Sequence, residues 1–326
     1  MKNIFLITFL MISTTSFSQF FKKSEPFAHT YSIVARDSVT GEMGVAVQSH
    51  WFSVGSSVTH GKAGVGVVAT QSFINPSYGP KGLALMAEGL SPQQALDALL
   101  QNDAGRDVRQ VAFLNVEGKV ATHTGNSCIE AAGHRQGKNF SMQANLMHSN
   151  TVWDAMADAF ESTKGPLSTR MLAAMKAAQN EKGDLRGKQS AAILIVSGTA
   201  TGNSWEDILM DLRIEDHENP IAELERLIEI HTAYNFMNDG DLAMEHGDSK
   251  KAEALYLKAQ NMFPDNLEMK YWYAINLLNN KEYEKATPIL KAIFKADENW
   301  KTLTPRLVKS GLLDISDDEL KKMMAL

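Results

Sequence analysis

The chain has 326 residues, of which 44% are hydrophobic and 21% charged, so it suits about two folded domains and is not wholly disordered. Its formal net charge is −6, and neither large block of the chain is basic, so nucleic acid is not expected as a partner. The single cysteine, Cys128, excludes an intrachain disulfide and a multi-cysteine zinc or iron–sulfur site.

The first 18 residues have the pattern of a secretory signal peptide. Lys2 precedes an apolar run over 4–12, and small polar residues follow up to Ser18, after which cleavage is expected. A helix that spans a bilayer needs about 20 apolar residues, and no stretch reaches that length, so no membrane span is predicted. We therefore expect an exported protein, periplasmic or extracellular, in which residues 19–29 form a spacer or propeptide.

From Thr30 onward the sequence predicts a strand-rich domain. Alternation over 30–35 and 43–48, around a turn at 38–41, predicts a hairpin that places Thr30 opposite Ser49. Further strands are predicted at 65–70, 109–116, 119–124 and 189–197, and helices at 76–89, 91–100, 152–160 and 167–178. Helices in pairs between antiparallel hairpins favour helix layers outside two stacked sheets, which is an α+β sandwich.

After this domain the strand pattern ends and a period of 34 residues appears. Ala252 and Ala286 are one period apart, and Pro264 separates the two copies. The spacing of small, aromatic and helix-stopping residues resembles tetratricopeptide repeats. We therefore predict an all-α repeat domain over 233–326, whose C-terminal residues act as a cap.

The repeat domain is where a protein partner is expected, because such arrays present a concave helical face. Aromatic side chains are the candidate anchors. They are Phe236, Tyr271, Trp272 and Tyr273. The alternative is that these rings pack the helices against each other.

The sequence lacks the common signatures of cofactor and metal enzymes. It has no P-loop, no dinucleotide-binding Gly-x-Gly-x-x-Gly after a strand and no His-Glu-x-x-His, so no cofactor is predicted. Its nine histidines include no i, i+4 pair, so no metal site is predicted. The charged run at 211–217 is interpreted as a surface strand in which Arg213 pairs with neighbouring carboxylates.

Several runs in the first domain resemble an uncharacterised bacterial family, the domain of unknown function numbered 1028, which is grouped with the N-terminal-nucleophile (Ntn) hydrolases. They are Thr-Tyr-Ser-Ile-Val-Ala-Arg-Asp at 30–37, Gly-Val-Ala-Val-Gln-Ser at 44–49, Gly-Val-Gly-Val-Val-Ala-Thr-Gln at 64–71 and Asn-Pro-Ser-Tyr-Gly-Pro at 75–80. The resemblance continues to about residue 231. It implies a four-layer αββα sandwich over 30–232.

In Ntn hydrolases the first residue of the mature domain is the nucleophile, and here the resemblance points to Thr30. A free α-amino group titrates at about pH 7.7–8.0, so it can accept the proton of its own residue's hydroxyl. Lys62 resembles the lysine of proteasome-like members and is expected to stabilise negative charge at the reacting centre. Ser49, His50 and Asn75 are the expected substrate contacts.

Two departures from the family pattern leave two functions open. Cleavage after Ser18 leaves residues 19–29 ahead of Thr30, so a second cut after His29 is required. Proteasome-like members also carry an aspartate near the end of the second strand, where this chain has Gln-Ser-His at 48–50.

The first of the two functions is an exported amidohydrolase acting on a small amide or peptide. The alternative is a non-catalytic binding or assembly module recruited through the repeats. Homo-oligomerisation stays open with either.

Overall fold

The computed structural model describes residues 27–326, and the predicted signal peptide and most of the predicted spacer lie outside the described residues. The chain divides into two compact units between Ile221 and Ala222. Within the described part of the chain, no helix is long and apolar enough to cross a membrane.

The first unit alternates antiparallel strands with paired helices. In chain order its elements are β1 (Phe27–Ala28), β2 (Thr30–Arg36), β3 (Met43–Ser49), α1 (Gly55–Val58), β4 (Thr59–Lys62), β5 (Gly66–Phe73), α2 (Tyr78–Ala87), α3 (Pro92–Gln101), β6 (Arg109–Asn115), β7 (Val120–Thr124), β8 (Gly133–Gly137), β9 (Phe140–Ala144), α4 (Val152–Ser162), α5 (Leu167–Asn180), β10 (Ser190–Val196) and β11 (Ile208–Ile214).

These strands form two antiparallel sheets. The first sheet has the order β1-β5-β6-β7, with β4 also paired to β5. The second has the order β11-β10-β3-β2-β9-β8. The β2–β3 hairpin pairs Thr30 with Ser49, so the register predicted from the sequence is confirmed.

The two sheets stack face to face, with helices on both outer sides. Apolar side chains from both sheets meet in the core between them, among them Val34, Val45, Val67 and Leu114. Helices α2 and α3 pack on the first sheet, and α4 and α5 pack on the second. The four-layer αββα sandwich is therefore confirmed.

The second unit consists of helices. They are α6 (Pro220–Glu245), α7 (Ser249–Met262), α8 (Leu267–Asn279), α9 (Tyr283–Ala296), α10 (Glu298–Ser310) and α11 (Asp317–Met324). The division at residue 221 precedes the expected boundary at 232, because one helix, α6, covers both positions. Ala252, Tyr256 and Ala259 of α7 are buried against α6, as their place in the repeat requires.

The aromatic residues of this unit divide between core and groove. Tyr271 is fully buried; its ring packs on Trp272 and Trp300 and its hydroxyl bonds to that of Thr304 at 3.0 Å. Tyr271 is therefore a core residue, so for this ring the alternative of packing between helices is confirmed and Tyr271 is not a candidate anchor. Trp272 instead lines a groove of about 800 Å³ within this unit.

Candidate active site

Thr30 lies at the start of β2, between β3 and β9, and is fully buried. The strand before it, β1, belongs to the other sheet, where Phe27 and Ala28 pair with Phe73 and Ser72 of β5. The backbone therefore crosses from one sheet to the other at His29. The His29–Thr30 peptide bond lies at this crossing, which is where the expected second cut would fall.

The carbonyl oxygen of His29 accepts two short hydrogen bonds. The Ser49 hydroxyl donates to it at 2.6 Å, and the Arg186 guanidinium donates from Nη2 at 2.6 Å. A hydroxyl and a cation on one carbonyl oxygen draw electron density from its carbon and stabilise negative charge that develops on the oxygen. The His29 carbonyl therefore lies in a site with the properties of an oxyanion hole.

Asp184 fixes the guanidinium of Arg186. Its carboxylate, which is fully buried, accepts from Arg186 Nε at 3.0 Å and from Nη2 at 2.7 Å. It also accepts from the backbone amides of Arg186 at 2.9 Å and His50 at 3.1 Å. Four donors on one buried carboxylate hold Arg186 in a single orientation, because a two-point contact with a guanidinium restricts its rotation.

The carbonyl of Thr30 is held by a second group of side chains. Gln71 is fully buried between the sheets, and its Nε2 donates to the carbonyls of Thr30 and Gln143 at 3.2 Å each. The same nitrogen donates to Gln110 Oε1 at 2.7 Å, and Gln71 Oε1 accepts from the Ser32 hydroxyl at 2.6 Å. The carbonyls on both sides of the His29–Thr30 bond are therefore held by polar side chains, of which Ser49 and Gln71 are fully buried and Arg186 is partly exposed.

Gln71 is one member of a polar cluster, which we define as Ser32, Gln71, Gln110, Gln143 and Asn145. All five side chains are fully buried. Asn145 Nδ2 donates to Gln110 Oε1 at 2.9 Å, and Gln143 Nε2 donates to Ser32 Oγ at 2.6 Å. Linked bonds of this kind specify one arrangement, because any buried group that loses its partner is costly.

The His29 ring is buried beside this cluster. It packs edge-on against Phe73 with 5.4 Å between ring centroids, and its Nδ1 lies 2.9 Å from Asn145 Oδ1. Burial lowers the pKa of His29, and the nearby Arg186 charge acts in the same direction, against the Asn145 hydrogen bond and the Asp184 charge. The ring is therefore neutral at neutral pH, and its Nδ1–H donates a hydrogen bond to Asn145 Oδ1.

Lys62 does not lie near Thr30. It pairs with Gly66, whereas Ala28 pairs with Ser72, so about 20 Å of strand separates the two ends of β5. The contact of β4 with the second sheet gives the same result. A Cβ added to Gly61 would touch Val196, and Val196 pairs with Met43, at the opposite end of β3 from Ser49. A lysine side chain does not reach across this distance, so Arg186 is the cation at the site.

Of the three residues expected to contact substrate, only Ser49 has its side chain on the His29 carbonyl. His50 is exposed, and its backbone amide rather than its ring contributes to the site through Asp184. Asn75 lies beyond the end of β5, where its Oδ1 accepts from the Ser77 amide at 3.1 Å and closes a turn. The structure therefore brings Thr30 and Ser49 together, but not Asn75.

Among the described residues, neither a metal cluster nor the lone thiol provides a second reactive centre. Across residues 27–326, no group of three or more His, Cys, Asp or Glu side chains could hold a metal ion. Burial raises the pKa of Cys128, so its thiol is protonated at neutral pH and is a poor nucleophile. Arg213 of the charged run pairs with Asp211 at 2.8 Å on β11, as expected of a surface strand.

Sequence reasoning missed Asp184, Arg186, Gln71 and Asn145. Gln71 offered a signal, because it directly follows the apolar strand predicted at 65–70, and a polar residue that continues a buried strand needs partners. Asp184 and Arg186 lie in a loop before β10 and have no periodicity. Their link to position 29, 157 residues before Arg186, emerges only from the fold.

The fold and the site define a class of protein: an αββα sandwich whose second strand begins at a buried threonine, followed by a helical repeat unit. The model of a family of unknown function, DUF1028, matches residues 30–224, and that of the tetratricopeptide repeat matches 243–304. The chain therefore belongs to the DUF1028 family, and its second unit carries tetratricopeptide repeats.

A solved structure of the same family is similar to this chain. It is the crystal structure of protein SPO2555 from Silicibacter pomeroyi, with 30% sequence identity and a TM-score of 0.57. The similarity covers 63% of this chain and 89% of that one. No functionally curated protein matches.

Proposed function

We propose that the first unit is an Ntn-type amidohydrolase, in which Thr30 attacks an amide carbonyl after the chain has been cut between His29 and Thr30. One observation carries the proposal: the His29 carbonyl accepts hydrogen bonds from Ser49 and Arg186, each at 2.6 Å. Neither hydrogen bond is part of the strand pairing. Both would stabilise the negative charge that develops on the carbonyl oxygen during nucleophilic attack.

The cut proceeds as an acyl shift followed by hydrolysis. Thr30 Oγ attacks the carbonyl carbon of His29, and the negative oxygen that forms is stabilised by Ser49 and Arg186. The carbon–nitrogen bond then breaks, the nitrogen takes the hydroxyl proton, and His29 is left as an ester on Thr30 Oγ. Water cleaves this ester, which frees the His29 carboxylate, the Thr30 hydroxyl and the Thr30 amine.

Turnover then repeats the same chemistry on a substrate. The new α-amino group, with a pKa of about 8, takes the proton of the Thr30 hydroxyl as that oxygen attacks the substrate amide. The amine part of the substrate leaves with this proton, and water hydrolyses the ester. Arg186 takes the electrostatic role expected of Lys62, since it is the cation on the carbonyl oxygen.

The mass of the purified chain tests the proposal. We expect wild-type protein to begin at Thr30, Thr30→Ser to be cut and to retain activity on an amide panel, and Thr30→Ala to be neither cut nor active. Thr199→Ala, in an exposed loop, is the matched control and should behave as wild type. Amide hydrolysis that survives Thr30→Ala in a chain still carrying residues 19–29 would exclude Thr30 as the nucleophile.

A second candidate function is a non-catalytic binding module. The observation that favours it is the full burial of Thr30 in the uncut chain, since a buried hydroxyl offers no access to a substrate. A native chain that starts at Gln19 and hydrolyses none of the amides would support this candidate over the first.

We also propose that the protein acts after export and that its second unit binds a protein partner. The groove that Trp272 lines also includes Asp241, Glu245, Asn276 and Asn279, which suits an extended segment with basic and apolar residues. The test is capture from the cell envelope with full-length protein, comparing wild type with Trp272→Ala. Equal recovery by both would exclude this groove as the binding surface.

A further inference from the structure

We infer that the place now filled by His29 and β1 is the acyl-side substrate site, and that it accepts an extended peptide whose last residue before the cleaved bond is histidine. The inference rests on the proposed function, because the site becomes open only after the cut. It adds the substrate class, a peptide bound as a strand, and two specificity residues, Phe73 and Asn145.

The edge of β5 provides the backbone part of this site. On its other edge β5 pairs with β6 from Gly66 to Ser72. On the edge in question, β4 covers Gly66 to Ala69, and β1 covers Ser72 and Phe73. Departure of β1 therefore exposes a short, unpaired strand edge. Such an edge binds another extended peptide through main-chain hydrogen bonds.

The end of β5 is also conformationally unusual. Ser72 has φ of +70°, a left-handed conformation that is uncommon for residues other than glycine. It pairs with Ala28 on one side and Arg109 on the other. Strain of this kind persists where surrounding structure enforces it, and it is concentrated at binding and catalytic sites.

The His29 ring defines the side-chain part of the site. The Phe73 ring packs edge-on against it with 5.4 Å between centroids, and Asn145 Oδ1 accepts a hydrogen bond from its Nδ1 at 2.9 Å. His29 is only 3% exposed. A flat ring with a donor at that position satisfies both contacts, whereas an aliphatic side chain leaves the buried Asn145 oxygen without this donor.

The C-terminal carboxylate of the released peptide is expected to bind to the positive charge of Arg186. After hydrolysis the product ends in a carboxylate at the present position of the His29 carbonyl, where Ser49 and Arg186 each donate at 2.6 Å. A carboxylate on a guanidinium forms a stronger bond than a neutral carbonyl does. The released peptide is therefore expected to rebind as a product inhibitor, which provides a probe that requires no turnover.

The experiment measures this rebinding to the chain that begins at Thr30. The protein is released from a cleavable fusion, so its preparation does not depend on self-processing; the family model also begins at residue 30. The probe is a fluorescent peptide of residues 24–29, Ser-Glu-Pro-Phe-Ala-His, with a free carboxylate. Its binding is followed by anisotropy, with Thr30→Ala protein that retains residues 19–29 as the occupied control.

We expect saturable binding to the open chain and none to the occupied control. A C-terminal amide, or alanine in place of the terminal histidine, should weaken binding by about tenfold or more on unaltered protein, since each removes a charge-assisted or buried contact. Arg186→Met should weaken binding of the carboxylate peptide more than that of the amide peptide, because a carboxylate loses a stronger bond to the guanidinium than a neutral carbonyl does. Arg135→Met, on a surface ion pair, is the matched control.

The outcomes separate this inference from the proposed function. No binding by an open chain that hydrolyses amides would overturn the inference and leave the hydrolase standing. Equal affinity for the carboxylate peptide, its C-terminal amide and the peptide that ends in alanine would also overturn it. Selective binding by a chain that hydrolyses nothing would support the peptide site and argue against the hydrolase.

Discussion

Two buried glutamines should respond in opposite directions to the same substitution. Gln71 and Gln48 are both fully buried in the first unit. Gln71 makes four hydrogen bonds, to Thr30, Gln110, Gln143 and Ser32. Neither amide atom of Gln48 has a hydrogen-bond partner among the described residues. Methionine is close to glutamine in size, so Gln→Met changes polarity with little change in volume.

The magnitudes follow from these contacts. A hydrogen bond contributes about 1 kcal/mol net, and a buried polar group without a partner costs about 1–3 kcal/mol. Gln71→Met should therefore destabilise the first unit by about 3–5 kcal/mol, because four bonds are lost and buried partners remain. Gln48→Met should stabilise it by about 1–2 kcal/mol, because it removes an unpaired buried amide.

Hydrogen–deuterium exchange of the full chain measures both effects. Opening free energies of peptides from β2, β5 and β6 report on the first unit, and peptides from α7 to α9 serve as an internal reference. Equal destabilisation by the two variants would refute the reasoning, since it would show that volume and shape matter at these positions and hydrogen bonds do not.

Three further predictions concern the site, the half-buried His60 and the repeats. Ser49→Ala should slow appearance of the Thr30 terminus by about 10²–10³-fold, as loss of one oxyanion donor does, in a mass-resolved time course. Burial lowers the pKa of His60 below 6.5, so the folded state resists its protonation. Stability should therefore fall as pH drops through 6.5, by up to about 1.4 kcal/mol per pH unit, and His60→Gln should flatten this slope in urea titrations. Gly240→Ala should destabilise the second unit by about 1–3 kcal/mol in exchange experiments, because the new Cβ would lie 2.7 Å from the Tyr256 ring.

The elements that the sequence predicted are those with a clear period. The β2–β3 hairpin, the paired helices and the repeat unit all have regular apolar spacing and recognisable turns. Helix α3 also begins as expected, with Ser91 as its cap in a capping box with Gln94. Local patterns were sufficient here because local and tertiary preferences agree.

The missed strands are short and rich in polar residues. β9, Phe140–Ala144, carries Ser141 and Gln143, which face the polar cluster rather than an apolar core. Its five residues do alternate between apolar and polar, but the run is short and its polar side is buried as well. β4 reads Thr-His-Gly-Lys and gains its stability from pairing with β5, which is a tertiary effect.

The site was predictable where it follows a hairpin and unpredictable where it depends on loops. Thr30 and Ser49 meet because two strands share a tight turn, and their register is fixed by which residues are buried. Lys62 was expected near Thr30 by analogy of spacing, yet its strand pairs at the far end of β5. Spacing along a chain does not specify which end of a sheet a residue reaches.

The donors on the His29 carbonyl come from distant parts of the chain, 20 residues away for Ser49 and 157 for Arg186. Contacts over such separations form late, since the intervening chain must first be ordered. If the proposed cut occurs, its rate is therefore coupled to completion of the second sheet, and a partly folded chain keeps its leader. An exposed Thr30 amine would then mark a chain whose first unit has already folded.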